Sequence, residues 1–341
     1  MGNDHKKICL DILPKVSRSF SFCITRLPSA LSEQMTAAYL IFRVIDTIED
    51  SVSPLETKEK GFSDFLGLLR KRPSDEKMFD AYRDFLLEKI DHGYERPLLE
   101  NVRSVFELYY GFGEKERGVI LKIAEEMARG MAEFQKRQIS DFKAQDEYCY
   151  YVAGVVGHLN THLFHLSGAI DAPLRDELMG YSKNFGLALQ KVNVLRDVAH
   201  DIPRGRRYWP LDLIQKNGLT YETLCAKENR ASAVKVLDEM VKNALPYLDD
   251  AIEYVTRLPR LAVRIRVFCL IPLFMALESF SVCAGNPDVF DSGKLVKISR
   301  KDVGRIALKS FFLAVSNRAL RRWYDESVAS AVKKIEYRRG A

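Results

Sequence analysis

Along the chain, apolar residues recur every three to four positions and no run alternates with period two, so the pattern predicts helices and no sheet. The predicted helices run Ser29 to Asp50, Pro54 to Arg70, Asp75 to Ile90, Pro97 to Tyr110, Glu114 to Ile139, Asp146 to Gly168, Pro173 to His200, Ala231 to Arg257 and Arg260 to Ala284, with a basic segment after them. Punctuation residues agree. "SPLE" at Ser53 to Glu56 reads as a capping box with Pro54 at the first helical position. "GFG" at Gly111 to Gly113 reads as a helix stop, and "KNGLT" at Lys216 to Thr220 as the end of one helix and the cap of the next. Pro272 lies inside an apolar pattern and predicts a kink. No linker, low-complexity tract or repeat divides the chain, so residues 1–341 are expected to form a single all-α domain, a helical bundle.

Two helices break the usual amphipathic rule. From Met35 to Asp50 almost every residue is apolar, yet Tyr39, Arg43, Asp46 and Asp50 fall at i, i+4, i+7 and i+11, a single stripe. "GLALQKVNVLRDVAHD" repeats the arrangement with Gln190, Asn193, Asp197 and Asp201 at i, i+3, i+7 and i+11, flanked by Arg196. A helix that is apolar on its other faces is buried, so each stripe must line a cavity or hold something. Four carboxylates withdrawn from water repel one another unless a cation joins them. Mg²⁺ accepts a few carboxylates, keeps several waters and shares its remaining positions with substrate phosphates. The pattern therefore describes a clamp for a Mg²⁺-bridged diphosphate, with Arg43, Arg196 and the loop "RGRR" (Arg204, Gly205, Arg206, Arg207) adding charge-assisted bonds. Metal-assisted departure of diphosphate from an allylic carbon fits such a clamp, and apolar walls would keep water from the resulting carbocation.

Composition narrows the choice. Fifty-two Lys and Arg against 46 Asp and Glu give a net charge of +6, a mild excess that suits an anionic small molecule or an anionic membrane surface better than a nucleic acid. The six cysteines are scattered without a CxxC, as expected of reduced thiols inside a cell. The N-terminus lacks the apolar stretch of a signal peptide. The most apolar run, Val267 to Leu277, is shorter than the roughly 20 residues a spanning helix needs, so no transmembrane segment and a cytoplasmic location are expected.

Five motifs in order, "VSRSFSF" (Val16 to Phe22), "YLIFRVIDTIEDS" (Tyr39 to Ser51), "YCYYVAGVVG" (Tyr148 to Gly157), "LQKVNVLRDVAHD" (Leu189 to Asp201) and "GRRYWP" (Gly205 to Pro210), closely resemble those of the squalene and phytoene synthases, the head-to-head prenyl synthases. "DTIED" looks like the squalene synthase form of the first acidic motif, and "NPDVFDSGKLVKISR" (Asn286 to Arg300) is similar to a late segment associated there with NADPH use. The resemblance implies the isoprenoid synthase fold with a central prenyl diphosphate cavity. It also implies condensation of two farnesyl diphosphates through presqualene diphosphate, followed by NADPH-dependent reduction to squalene. Dehydrosqualene and phytoene synthases, which omit the reduction, are the alternative.

Carried over residue by residue, the resemblance implies that Asp46, Asp50, Asp197 and Asp201, assisted by Asn193 and Gln190, hold Mg²⁺ and diphosphate. Ser17, Arg18, Ser19, Arg43, Arg196 and Arg206 match positions near the diphosphates. Tyr148 matches a tyrosine proposed to aid cation stabilisation or proton transfer, and Tyr39 another pocket tyrosine. Gly154 and Gly157 would permit close approach of backbone and prenyl chain, with Val152 and Val156 lining the tunnel; a plain helix-packing face is compatible with the same residues. No GxGxxG follows a strand, so NADPH would bind without a Rossmann domain, with Lys294, Lys297, Arg300 and Lys301 as candidates for its phosphates. His200 stands where squalene synthases commonly have an acidic residue. The basic stretch Leu320 to Arg339 is a candidate for peripheral contact with anionic lipid. His158, His162 and His165 have a zinc-like spacing, but no cysteine or carboxylate completes the set, and structural roles are expected. A class I terpene cyclase would show DDxxD, and a non-catalytic lipid-binding bundle would leave the two stripes unexplained. The oligomeric state is not legible in the sequence.

Overall fold

A computed structural model of the chain describes the backbone of residues 2–90 and 92–340 and the side chains of residues 4–90 and 92–333. Among the described residues every element is helical and no strand occurs. The chain folds into two compact units, residues 1–137 with 158–175, and residues 138–157 with 176–341.

The first unit contains α1 (Gly2–Val16), α2 (Arg18–Ile24), α3 (Ser29–Asp50), α4 (Leu55–Arg70), α5 (Lys77–Lys89), α6 (Arg96–Glu100), α7 (Val102–Tyr110) and α8 (Glu114–Phe134). α3 is its core helix, packed on α1, α7 and α8. Leu40, Ile41, Val44, Ile45 and Ile48 have no exposed surface, and the Thr36 and Thr47 hydroxyls donate to the carbonyls of Ser32 and Arg43, both at 2.7 Å, so neither of these two is stranded. Several boundaries differ from expectation. α4 begins at Leu55 with Pro54 as its cap; Ser53 makes no capping box, because its hydroxyl donates instead to the Lys89 carbonyl at 2.5 Å. The expected helix from Pro97 to Tyr110 is two helices interrupted at Asn101, and α8 stops at Phe134, five residues short.

The second unit opens with α9 (Phe142–Cys149), continues through one turn of π-helix (Tyr150–Gly154) into α10 (Val155–Leu166), and after α11 (Ala172–Arg196) and α12 (Val198–Asp201) carries α13 (Leu211–Lys216), α14 (Tyr221–Leu224), α15 (Arg230–Arg257), α16 (Val263–Cys283), α17 (Arg300–Leu313) and α18 (Asn317–Gly340). α10 and α11 each cross from one unit to the other. "KNGLT" behaves as read: α13 ends at Lys216, Gly218 takes a positive φ, and Thr220 caps α14 in a capping box with Thr223. Pro272 is accommodated inside α16.

At 21 residues, α16 is long and apolar enough by length and composition to cross a membrane, which departs from the expectation of no such segment. Most of it is buried by α15, α17 and α18. It also carries Arg266, fully buried, which donates to the Leu258 carbonyl at 2.7 Å and to Asn317 at 2.6 Å and so ties α16 to the end of α15 and the start of α18. Those features are those of a core helix. All six cysteines are free, and five are buried. Burial pushes Cys9, Cys23, Cys149 and Cys283 up to about 12, which leaves them inert apolar fillers.

Candidate functional site

In the first unit the stripe on α3 is present as read: from Met35 to Asp50, Tyr39, Arg43, Asp46 and Asp50 are the partly exposed residues and all the others are buried. Arg43 is engaged through both terminal nitrogens, while its buried Nε has no hydrogen-bond partner. One guanidinium nitrogen donates to Asp46 at 2.7 Å, and the other to Glu95 and to the Tyr94 hydroxyl. Burial opposes its charge, but Asp46 with Tyr94, Tyr39 and Glu95 outweighs that and raises its pKa. Arg43 therefore braces Asp46. Glu95 is buried and was not identified from the sequence, where it sits in a loop fifty-odd residues from Arg43 with no periodic signal. Glu49, between the two aspartates, is buried on another face, where Gln135 donates to its carboxylate and Lys58 to its carbonyl.

Tyr39 is joined to the N-terminal motif. Its hydroxyl shares a hydrogen bond with Ser17 and its ring lies 5.5 Å from that of Phe20, while burial raises its pKa. Ser17 also caps α2, accepting from the Phe20 amide at 3.3 Å, and Arg18 and Ser19 are exposed in the first turn.

The second stripe is not one uninterrupted helix. α11 ends at Arg196, Asp197 leaves helical geometry at φ −97° and ψ 4°, and the short α12 follows. The hydrogen bonds from the Asp197 amide to the Asn193 carbonyl and from the Asp201 amide to the Asp197 carbonyl, 3.0 and 2.9 Å, carry the chain across the break. Arg196 grips both oxygens of Asp197, at 2.8 and 2.5 Å, and reaches Asn193 at 3.3 Å; Asn193 in turn donates to Gln190 at 3.2 Å. The four polar residues thus form one connected row. Burial, and next the charge of Asp197, push Asp201 up to about 6 against the pull of Arg206 and Arg204.

Gly205, at φ +76°, turns the chain so that the Arg206 amide donates to the Asp201 carbonyl at 3.1 Å and its guanidinium comes within 3.7 Å of the carboxylate. Of the other arginines in this loop, Arg207 points elsewhere, pairing with Glu222 at 2.7 Å, and Arg204 is exposed. Trp209, within the "GRRYWP" motif, pins the loop by donating from its indole to the Val194 carbonyl at 2.9 Å.

Tyr148 is 3% exposed and stacks on Tyr208 with centroids 4.6 Å apart and planes 15° apart. Gln145 holds that partner by donating to the Tyr208 carbonyl at 2.8 Å, and the buried Lys191 donates to Gln145 at 3.0 Å and to Asn243 at 2.8 Å, with Asp146 at 2.6 Å. The π turn falls on "YYVAG", immediately after Tyr148 and Cys149. π turns are rare and concentrate at functional sites. A Cβ on Gly157 would meet the Ser182 carbonyl oxygen at 2.0 Å, and one on Gly186 the Ala153 oxygen at 2.1 Å, so these glycines let two helices touch backbone to backbone. The packing role considered for Gly157 is therefore real, and Gly186, unnoticed in the sequence, is its counterpart. Val152 and Val156 are partly exposed.

Lys294 and Lys297 lie exposed between the end of α16 and the start of α17, Lys294 paired with Asp288 at 2.6 Å, and Arg300 and Lys301 lie exposed in the first turn of α17. His165 closes the end of α10 by a hydrogen bond with the Ile170 carbonyl at 3.1 Å. Among the described residues, no three His, Cys, Asp or Glu side chains gather into a ready-made metal centre. A cation here would have to draw on water and substrate oxygens as well as the aspartates. That is the habit of Mg²⁺, and the donor set, all carboxylate and amide oxygens with the charge of Asp197 already opposing ionisation of Asp201, fits it.

The model of the squalene/phytoene synthase family matches residues 13–302. A squalene synthase of Dictyostelium discoideum is 33% identical over 309 residues, 88% of this chain and 68% of that protein. The chain spans about two thirds of the length of the curated relatives it matches. The solved complex of TcSQS with the ligand BPH1237 is similar with a TM-score of 0.81 and 29% identity, covering 98% of this chain and 99% of that one. A dehydrosqualene synthase in complex with ligand matches with a TM-score of 0.59 at 19% identity over 91% of this chain and 96% of that one, a likeness of fold alone. With the family's match running through both acidic motifs and the Tyr148 segment, the chain belongs to the squalene/phytoene synthase family.

Proposed function

We propose that this protein is a squalene synthase, joining two farnesyl diphosphates head to head through presqualene diphosphate and reducing that intermediate to squalene with NADPH. The observation that carries the reading is the pair of acidic rows, Asp46 with Asp50 and Asp197 with Asp201, each with an aspartate gripped by an arginine, Asp46 by Arg43 and Asp197 by Arg196. Mg²⁺ bound by these aspartates would neutralise charge on the departing diphosphate. Arg43 and Arg196 orient Asp46 and Asp197, Asn193 and Gln190 extend the second row, and Arg206 adds positive charge beside Asp201. Ser17, Arg18 and Ser19 are proposed for the diphosphate oxygens, with Tyr39 held against Ser17.

In the first half-reaction the allylic C–O bond of one farnesyl diphosphate breaks, the electron pair leaving with diphosphate. The double bond of the second molecule attacks the cation, and loss of a proton closes the cyclopropane. Tyr148, buried and stacked on Tyr208, is the proposed cation-stabilising or proton-handling group, with Val152 and Val156 beside the prenyl chain. In the second half-reaction presqualene diphosphate ionises and rearranges, and bound NADPH would supply the hydride that quenches the cation. Lys294, Lys297 and Arg300 are the proposed contacts for the cofactor's phosphates.

Incubating the purified protein with farnesyl diphosphate and Mg²⁺, with and without NADPH, and identifying the hydrocarbons by mass spectrometry tests the proposal. Squalene with NADPH and presqualene diphosphate without it is the expected outcome. Dehydrosqualene in both reactions would place the enzyme among the synthases that omit reduction.

A further inference from the structure

The second half of α17 and the turn that follows it present an apolar face to solvent. Leu308, Phe311, Phe312 and Val315, spaced i, i+3, i+4 and i+7, are 61, 60, 67 and 50% exposed, while Ile306, Ser310 and Ala314 on the opposite side are buried. Scattered apolar residues on a surface need no explanation, but three on one helical face and a fourth in the turn after it, two of them phenylalanines with centroids 5.8 Å apart, form a patch. Nothing in the proposed chemistry uses them.

The charge around the patch is one-sided. Between Lys294 and Arg322 the chain carries nine Lys and Arg and a single acidic residue, Asp302, which is spent capping α17 and pairing with Arg305 at 3.0 Å. Lys301 and Arg318, at either end of the patch, are exposed. An apolar helical face of Phe and Leu framed by cations is the chemistry of a helix lying in a bilayer interface, its rings among the acyl chains and its cations at anionic headgroups. A second copy of this chain would bring the same positive charge to the contact and repel it.

We propose that α17 and the turn after it dock this protein on an anionic phospholipid bilayer through Leu308, Phe311, Phe312 and Val315. The surface differs from the basic stretch Leu320 to Arg339 expected from the sequence, of which the side chains of residues 334–339 lie outside those described; Trp323 and Tyr324 in that stretch are buried, and Arg321 and Arg322 are paired with Glu253 and Glu326. Only the purpose of the docking, release of a water-insoluble hydrocarbon into the membrane, rests on the function proposed above.

The test is flotation of the full chain with vesicles of phosphatidylcholine containing 30 mol% phosphatidylglycerol or none, at low and high salt. Binding to the anionic vesicles is expected, weakened by salt and by omitting phosphatidylglycerol. It should fall about tenfold or more in Phe311→Ser/Phe312→Ser and, separately, in Leu308→Ser, since each removes apolar surface that would enter the bilayer. All three positions are exposed, so circular dichroism and turnover of detergent-solubilised farnesyl diphosphate should stay at the wild-type level. Wild-type protein that ignores anionic vesicles, or variants that bind them equally well, would overturn the proposal. So would a dimer that the double variant converts to a monomer without any vesicle binding. Vesicle binding by a protein that makes no hydrocarbon would leave this surface standing and count against the synthase reading.

Discussion

Asp201 is the residue whose chemistry is most directly measurable. Its side chain is 14% exposed, and its carboxyl, pushed from 3.8 up to about 6, is held in the fold in a place that disfavours its charge. A carboxyl raised in the folded state stabilises the fold fully below its unfolded pKa, and that stability is lost as pH rises through the folded value. In metal-free protein at pH 7.5, Asp201→Asn should therefore stabilise the chain by about 2 kcal/mol, a gain that shrinks as pH falls from 7 toward 4. Thermal unfolding of the two proteins across that range checks it, and added Mg²⁺ with diphosphate should favour the wild type alone. Arg43 makes the complementary prediction. Removing it strands the buried Glu95, so Arg43→Met should cost about 3 kcal/mol, most of it recovered in Arg43→Met/Glu95→Gln. At this scale the stripe on α3 was legible because polar residues on an otherwise apolar helix are expensive. Glu95 and Tyr94 were not, because their partner Arg43 lies far along the chain and no periodicity announces them.

Helices were read correctly where hydrophobic spacing was long and regular, as in α3, α4, α15 and α16. Local hydrogen bonding settled the rest. Ser53 spends its hydroxyl on a distant carbonyl instead of capping α4, and a π turn has the same apolar texture as the helix around it. Short elements such as α2, α13 and α14 offer too few turns for a periodic signal. The backbone contact at Gly186 yields a prediction for the element it builds. Gly186→Ala would drive a Cβ into the Ala153 carbonyl and should cost about 2 kcal/mol or more. Gly180→Ala, on the same helix with open space around it, should be neutral or slightly stabilising. Denaturant unfolding of both variants separates a packing requirement from simple loss of glycine's flexibility. The Lys191 network works at the same scale. Lys191→Met should destabilise by about 3 kcal/mol, since Gln145 and Asp146 lose their buried cation. It should also loosen the Tyr148–Tyr208 stack, which tyrosine fluorescence would register.

For the whole molecule, family membership and an all-α architecture were within reach of the sequence because five motifs stand in order over most of its length. The division into two compact units was not, since no linker marks it and α10 and α11 run through it. One acidic row belongs to each unit, and the proposed reaction requires both. Mg²⁺-dependent release of diphosphate from farnesyl diphosphate by wild type, Asp46→Asn and Asp197→Asn is the most direct test of that requirement. The account predicts release by the wild type only with a divalent cation, and a loss of at least about 100-fold in each variant with helix content unchanged. Release without a divalent cation, or near-normal turnover by either variant, would contradict it.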